Sequence, residues 1–238
     1  MVFLATFIVC ALASWALAPF IHKYPWVLYA AVLVIDALFF LTSFSFITGP
    51  VGRLCTMLIR RGTLAFALFS IVMYIGVLPH GSALRKRMSS VRAPLSIAAS
   101  LLIAAHMVVN ATNFLPRLIN PSMEVSVTSA LIIAIVLFVL VVVLALTSFS
   151  FVKERMDARH WKTLQRFAYL FYGLVFIHIL FLLGPGALAK SSATRLNLFG
   201  YAIVVLGYVI ARLVRYRLDT AENKQSKQLE QQPHANHG

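Results

Sequence analysis

The chain has 238 residues, 61% of them hydrophobic and only 12% charged, with a mean hydropathy of +0.87. A soluble domain of this length has too little interior to hide that much apolar surface, so the bilayer is the expected solvent. The net charge of +14 raises nucleic acid as a partner, but the 21 Lys and Arg stand in short clusters between apolar runs. That is the pattern of a topology signal, and it argues against a nucleic-acid footprint.

Apolar runs long enough to cross a bilayer occupy about 2–19, 26–48, 63–79, 94–115, 125–151, 163–186 and 196–214. The first lacks a basic leading segment and a small-x-small cleavage site, so it reads as a retained span, not a signal peptide. The expected fold is all-α: a polytopic membrane helix bundle of about seven transmembrane helices. Seven spans put the termini on opposite sides. Six of the 21 basic residues (Arg53, Arg60, Arg61, Arg117, Lys190 and Arg195) fall on the N-terminal side and the remaining fifteen on the other. The excess places the C-terminus in the cytoplasm and the N-terminus outside a cytoplasmic (inner) membrane. The hexapeptide LTSFSF occurs at 41–46 and again at 146–151, in spans of opposite direction, as an inverted repeat would be. The polar, Gln-rich segment 218–238 is expected to be a disordered cytoplasmic tail. Cys10 and Cys55 are isolated and make no metal or disulfide spacing. No Rossmann fingerprint or P-loop is present, so a soluble redox partner would be a separate protein.

The seven histidines sort by position. His22, His80 and His160 lie in loops or at span ends, and His234 and His237 lie in the tail. His106 and His178 are deep inside spans. His106 follows Arg92 by 14 residues, about 21 Å along a helix, and His178 follows Lys162 by 16, about 24 Å. Both spans run in the same direction, so both imidazoles reach the outer half at similar depth. Bis-axial haem ligation needs two neutral imidazoles at one level. Hydrogen bonding of each ring to a neighbouring helix would also satisfy them, and residue chemistry alone leaves both arrangements open. Small residues before His106 (Ser96, Ala98, Ala99, Ser100, Ala104, Ala105) leave room for a flat macrocycle or for close helix packing.

The stretch LALTSFSFVKERMDARHWKTLQRFAYLFYGLVFIHILFLL carries Thr147-Ser148, a basic loop, Trp161, Leu164, Arg166, Tyr169-Leu170 and His178. It resembles the haem-binding membrane subunit of the periplasmic methionine sulfoxide reductase system, within the ferric reductase-like transmembrane superfamily. VRAPLSIAASLLIAAHMVVN is similar to that family's basic-then-apolar helix, and LPHGSALRKRMSSVR to its basic loop. The resemblance covers roughly 63–217, a five- to six-helix haem-binding core, with 1–62 as less clearly related N-terminal spans. It implies one non-covalent b-type haem held by His106 and His178, because Gln165 stands where the family has a further histidine. It also implies a cytochrome b-like electron-transfer subunit, which is only part of an oxidoreductase. Electrons would pass from membrane quinol or a cytoplasmic flavin donor to an extracytoplasmic redox protein or flavoprotein.

Arg92, Trp161, Gln165, Arg166 and Tyr169 gather near the cytoplasmic ends of the two histidine helices. They form a candidate quinone or FMN pocket, although Trp, Tyr and Arg also serve as ordinary interfacial anchors. Asp36, in the second span, could take a proton from quinol or stay protonated as a structural group. The contrasting functional reading is a haem-free small transporter or assembly factor, with Asp36, His106 and His178 as a polar pathway.

Overall fold

The computed structural model describes residues 2–43, 49–118, 124–189 and 191–230, which are helical almost throughout and contain no strand. Helix α1 (Val2–Ala16) has 15 residues, fewer than the ~20 that cross a hydrocarbon core. It breaks at Leu17, and α2 (Ala18–Lys23) restarts with Pro19 in its first turn, where no N–H is needed. Helix α3 (Pro25–Ser43) spans 19 residues.

The third apolar run differs from its expected form. α4 (Gly49–Cys55) passes into a π-helical turn, Thr56–Arg60, and α5 (Thr63–Ile75) follows, the two arms meeting at 46°. The break sits at Gly62, whose φ of +65° lies in the left-handed region that a side chain disfavours. The expected span 63–79 is therefore one arm of a bent segment that begins upstream of Arg60 and Arg61. α6 (Ala83–Ser89) is a short helix capped by Ser82, whose Oγ accepts from the Arg85 backbone N–H at 3.2 Å. α7 (Arg92–Leu118), α8 (Val125–Leu146), α9 (Ser150–Arg155), α10 (Ala158–Leu188) and α11 (Ser192–Glu230) complete the chain. Asp157 caps α10, accepting from the backbone N–H groups of Arg159 (2.9 Å) and His160 (3.2 Å).

Five helices, α3, α7, α8, α10 and α11, are each long and apolar enough to cross a membrane, and the bent segment makes a sixth if counted as one span. The chain is thus an all-helical membrane protein among its described residues. α1 is too short to count as a seventh by the same measure. Residues 44–46 of the first LTSFSF copy lie outside the described residues; the second copy closes α8 and opens α9. α11 continues in regular helix through Glu230, so the tail expected to be disordered from 218 is helical over most of its length. Its Ala, Glu, Lys, Gln and Leu are good helix formers, and Arg215 holds Asp219 one turn on at 2.7 Å.

α5 is the centre of the bundle. It is buried on every face, from Thr63 through Phe66, Ser70 and Met73 to Ile75. α7, α1 and α11 pack around it, α3 packs on α7, and α10 lies against α8 and α11. Buried hydroxyls tie these helices: Tyr172 Oη donates to Ser70 Oγ (3.0 Å), and Tyr74 Oη to the Val204 carbonyl (2.8 Å).

Candidate functional site

The bent segment and α7 build the first half of the site. His106 projects from α7 towards the break, where the Ile59 carbonyl also accepts from the Gly62 backbone N–H at 2.8 Å. The Ile59 carbonyl lies 3.3 Å from His106 Nδ1. Asn110, one turn further along α7, has Nδ2 at 3.2 Å from the same Nδ1, but its two amide hydrogens go to the carbonyls of His106 (2.8 Å) and Arg60 (3.2 Å). With both of those hydrogens used, the hydrogen on Nδ1 belongs to the imidazole and is donated to Ile59. Gly62 closes over the ring: a Cβ there would lie 3.5 Å from Nδ1.

His178 is held in the same way from the other side. Its Nδ1 meets the carbonyl of Ala130 on α8 at 2.8 Å, a main-chain acceptor in the buried α8–α10 contact. In both rings the hydrogen bonds run through Nδ1, which leaves the Nε2 lone pair open as a ligand. Backbone carbonyls that accept from one ring nitrogen fix an imidazole's tautomer and orientation in this way.

Both imidazoles line one cavity of about 760 Å³, between the Arg60–Arg61 end of the bundle and its middle. α7 packs chiefly on α5 and α3 and α10 chiefly on α8 and α11, with α8 touching both, and residues of α7 and α10 line the cavity. Phe66, Phe69, Phe138 and Phe171 form much of its wall, and Arg60, Arg61, Asn110 and Asn197 its polar parts. The size lies within the range of pockets for a drug-sized or cofactor-sized ligand, ~300–1,000 Å³. Among the described residues no group of three or more His, Cys, Asp or Glu side chains is gathered for a metal ion, so the two histidines stand as a pair.

The remaining candidates are elsewhere. Trp161 Nε1 donates to the Thr147 carbonyl (2.9 Å), and Gln165 Nε2 to Thr147 Oγ1 (2.9 Å), so both fasten α10 to the end of α8. The Lys153 ammonium sits 4.9 Å from the centre of the Trp161 ring, and the Arg212 guanidinium 5.3 Å from that of Tyr169. Arg92 and Arg166 are exposed at that same end. None of these five lines the histidine cavity, which lies towards the opposite end of the bundle. Asp36 is only 7% exposed, its Oδ1 has no hydrogen-bond partner, and it does not line the cavity either. Asp36 lies on the buried α3 face with Val32 and Phe39, and α3 packs on α7.

Arg60, Arg61, Asn110 and Gly62 are functional candidates that sequence reasoning passed over. The arginine pair had been counted only as a topology signal. The glycine directly after it, ahead of a fully apolar helix, is the cue that a break could fall there.

No family model and no solved structure matches the chain. An uncharacterized protein of Treponema pallidum (strain Nichols) is 36% identical over 150 residues, which is 62% of this chain and 41% of that protein. The chain thus corresponds to less than half of that relative's length.

Proposed function

We propose that this protein is a membrane electron-transfer subunit that holds one b-type haem between His106 and His178. The observation that supports this best is the single cavity with an imidazole on each side, each ring fixed through Nδ1 and open at Nε2. The residues fit the group: two neutral nitrogen ligands, aromatic walls, and arginines at the rim for the two carboxylates of the macrocycle. When bound, the haem would supply a one-electron ferric/ferrous couple. The chain's own part is to orient both imidazoles, exclude water with Phe66, Phe69, Phe138 and Phe171, and set the local charge with Arg60 and Arg61.

The resemblance of 63–217 to ferric reductase-like membrane proteins supports the same reading. On the topology expected from the basic residues, the cavity lies towards the extracytoplasmic side. Electrons from quinol or a cytoplasmic flavin donor would then leave to an extracytoplasmic redox protein. Gln165, engaged with Thr147, gives the cytoplasmic half no second histidine at that position.

The test is a dithionite-reduced minus oxidised spectrum of protein expressed with ample haem, beside His106→Ala and His178→Ala. The wild type should show b-type bands and each variant should lose them. Absence of bands in the wild type, or full retention in both variants, would refute the assignment.

A further inference from the structure

A second cavity, of about 510 Å³, lies on the other side of the bent segment and is lined by Thr42, Gly52, Arg53, Thr56, Met57 and Arg61. Met57 and Arg61 also line the histidine cavity, so the π-helical turn is the partition between two pockets. Short π-helical turns are found mostly at functional sites, and this one lies between two pockets. The chemistry of the second pocket is cationic. Arg53 and Arg61 bring two guanidinium groups and Thr42 and Thr56 two hydroxyls, and neither arginine has a carboxylate partner among the described residues. Only one of the chain's seven acids, Glu124, falls in the expected loops at this end, and it is engaged with Ser126. The pocket also has a glycine edge at Gly49 and Gly52; beside Gly49 there is open space where a side chain would stand.

We propose that this pocket is an oxyanion site, taking a phosphate-bearing ligand between Arg53 and Arg61. Two planar guanidinium forks suit the several oxygens of a phosphate, and hydroxyls complete its shell. The phosphate could belong to a lipid headgroup of the adjoining leaflet or to a small soluble molecule; the recognition chemistry is the same. Arg61 faces both pockets, so an anion in this one would draw the guanidinium away from the rim of the other. The phosphate site does not require haem, although the two ligands would share Arg61.

The experiment uses the full chain, purified in detergent and stripped of lipid. One arm titrates inorganic phosphate against chloride at constant ionic strength, read by calorimetry and by the thermal unfolding midpoint. The other arm reconstitutes the protein in phosphatidylcholine nanodiscs with or without phosphatidylglycerol and counts retained anionic lipid by native mass spectrometry. Arg53→Gln should weaken binding roughly tenfold, Arg53→Lys less, and Arg53→Gln with Arg61→Gln should abolish it. Saturable phosphate binding identifies a soluble anion, retained phosphatidylglycerol a headgroup, and loss of either in the double variant supports the site. Arg53→Lys, which keeps the charge, serves as the test if the glutamine variants do not fold. The proposal is overturned if the wild type shows neither signal, or if the substituted proteins bind as the wild type does.

Discussion

Asn110→Ala removes the side chain that connects His106 to the break in the bent segment. Two hydrogen bonds go with it, and they are not equal. The His106 carbonyl also accepts from the helical backbone of α7, so losing the 2.8 Å side-chain bond there costs at the low end, about 0.5 kcal/mol. The Arg60 carbonyl ends the π-helical turn and has the Asn110 amide as its side-chain donor at 3.2 Å. That bond is exposed, so losing it costs about 0.5–1.5 kcal/mol. The expected loss is therefore about 1–2 kcal/mol of unfolding free energy, summed from those ranges. The imidazole should also hold its orientation less firmly, because the turn carrying Ile59 loses one of two side-chain ties to α7, leaving that of the His106 ring. Removing a group that positions a metal ligand typically costs 10- to 100-fold in affinity, so haem affinity should fall by about that factor. Chemical unfolding in detergent measures the first quantity and haem titration into haem-depleted protein the second. A variant with wild-type stability and wild-type haem affinity would refute the role given to Asn110.

Two glycines offer sharper structural tests. Gly62→Ala puts a side chain at a φ of +65° and a Cβ 3.5 Å from His106 Nδ1; left-handed strain should cost about 1–2 kcal/mol, read as a lowered unfolding midpoint. Gly207→Ala would place a Cβ 2.9 Å from Tyr74 Oη, displacing that ring from the Val204 carbonyl and costing about 1–3 kcal/mol by overpacking, with the histidine site unaffected. Tyr172→Phe removes the hydroxyl bonded to Ser70 between α10 and α5 and should destabilise by about 1 kcal/mol in the same assay.

The long helices were legible because a bilayer demands long uninterrupted apolar runs, and α3, α7, α8, α10 and α11 each carry one. The counts from Arg92 and Lys162 pointed to His106 and His178 because rise per residue is constant along regular helix, and the two rings do line one cavity. The bend at Gly62 was not legible from hydropathy. Met57, Leu58 and Ile59 are as apolar as a span, and only the φ of the glycine separates the two arms. The acceptors Ile59 and Ala130 were also out of reach, since a backbone carbonyl leaves no trace in residue type. The donation of Trp161 Nε1 and Gln165 Nε2 to Thr147 was likewise not legible, since that contact is set by how α9 turns the chain back. The helical course of 219–230 is not legible from polarity alone, although most of its residues (Ala, Glu, Lys, Gln and Leu) are good helix formers.

The central claim, that His106 and His178 together ligate one haem, is tested most directly by electron paramagnetic resonance of the oxidised protein with a haem-to-chain count. The account predicts one haem per chain and a low-spin ferric signal, lost or converted to high spin in His106→Ala and in His178→Ala. A low-spin signal that survives either substitution would contradict it.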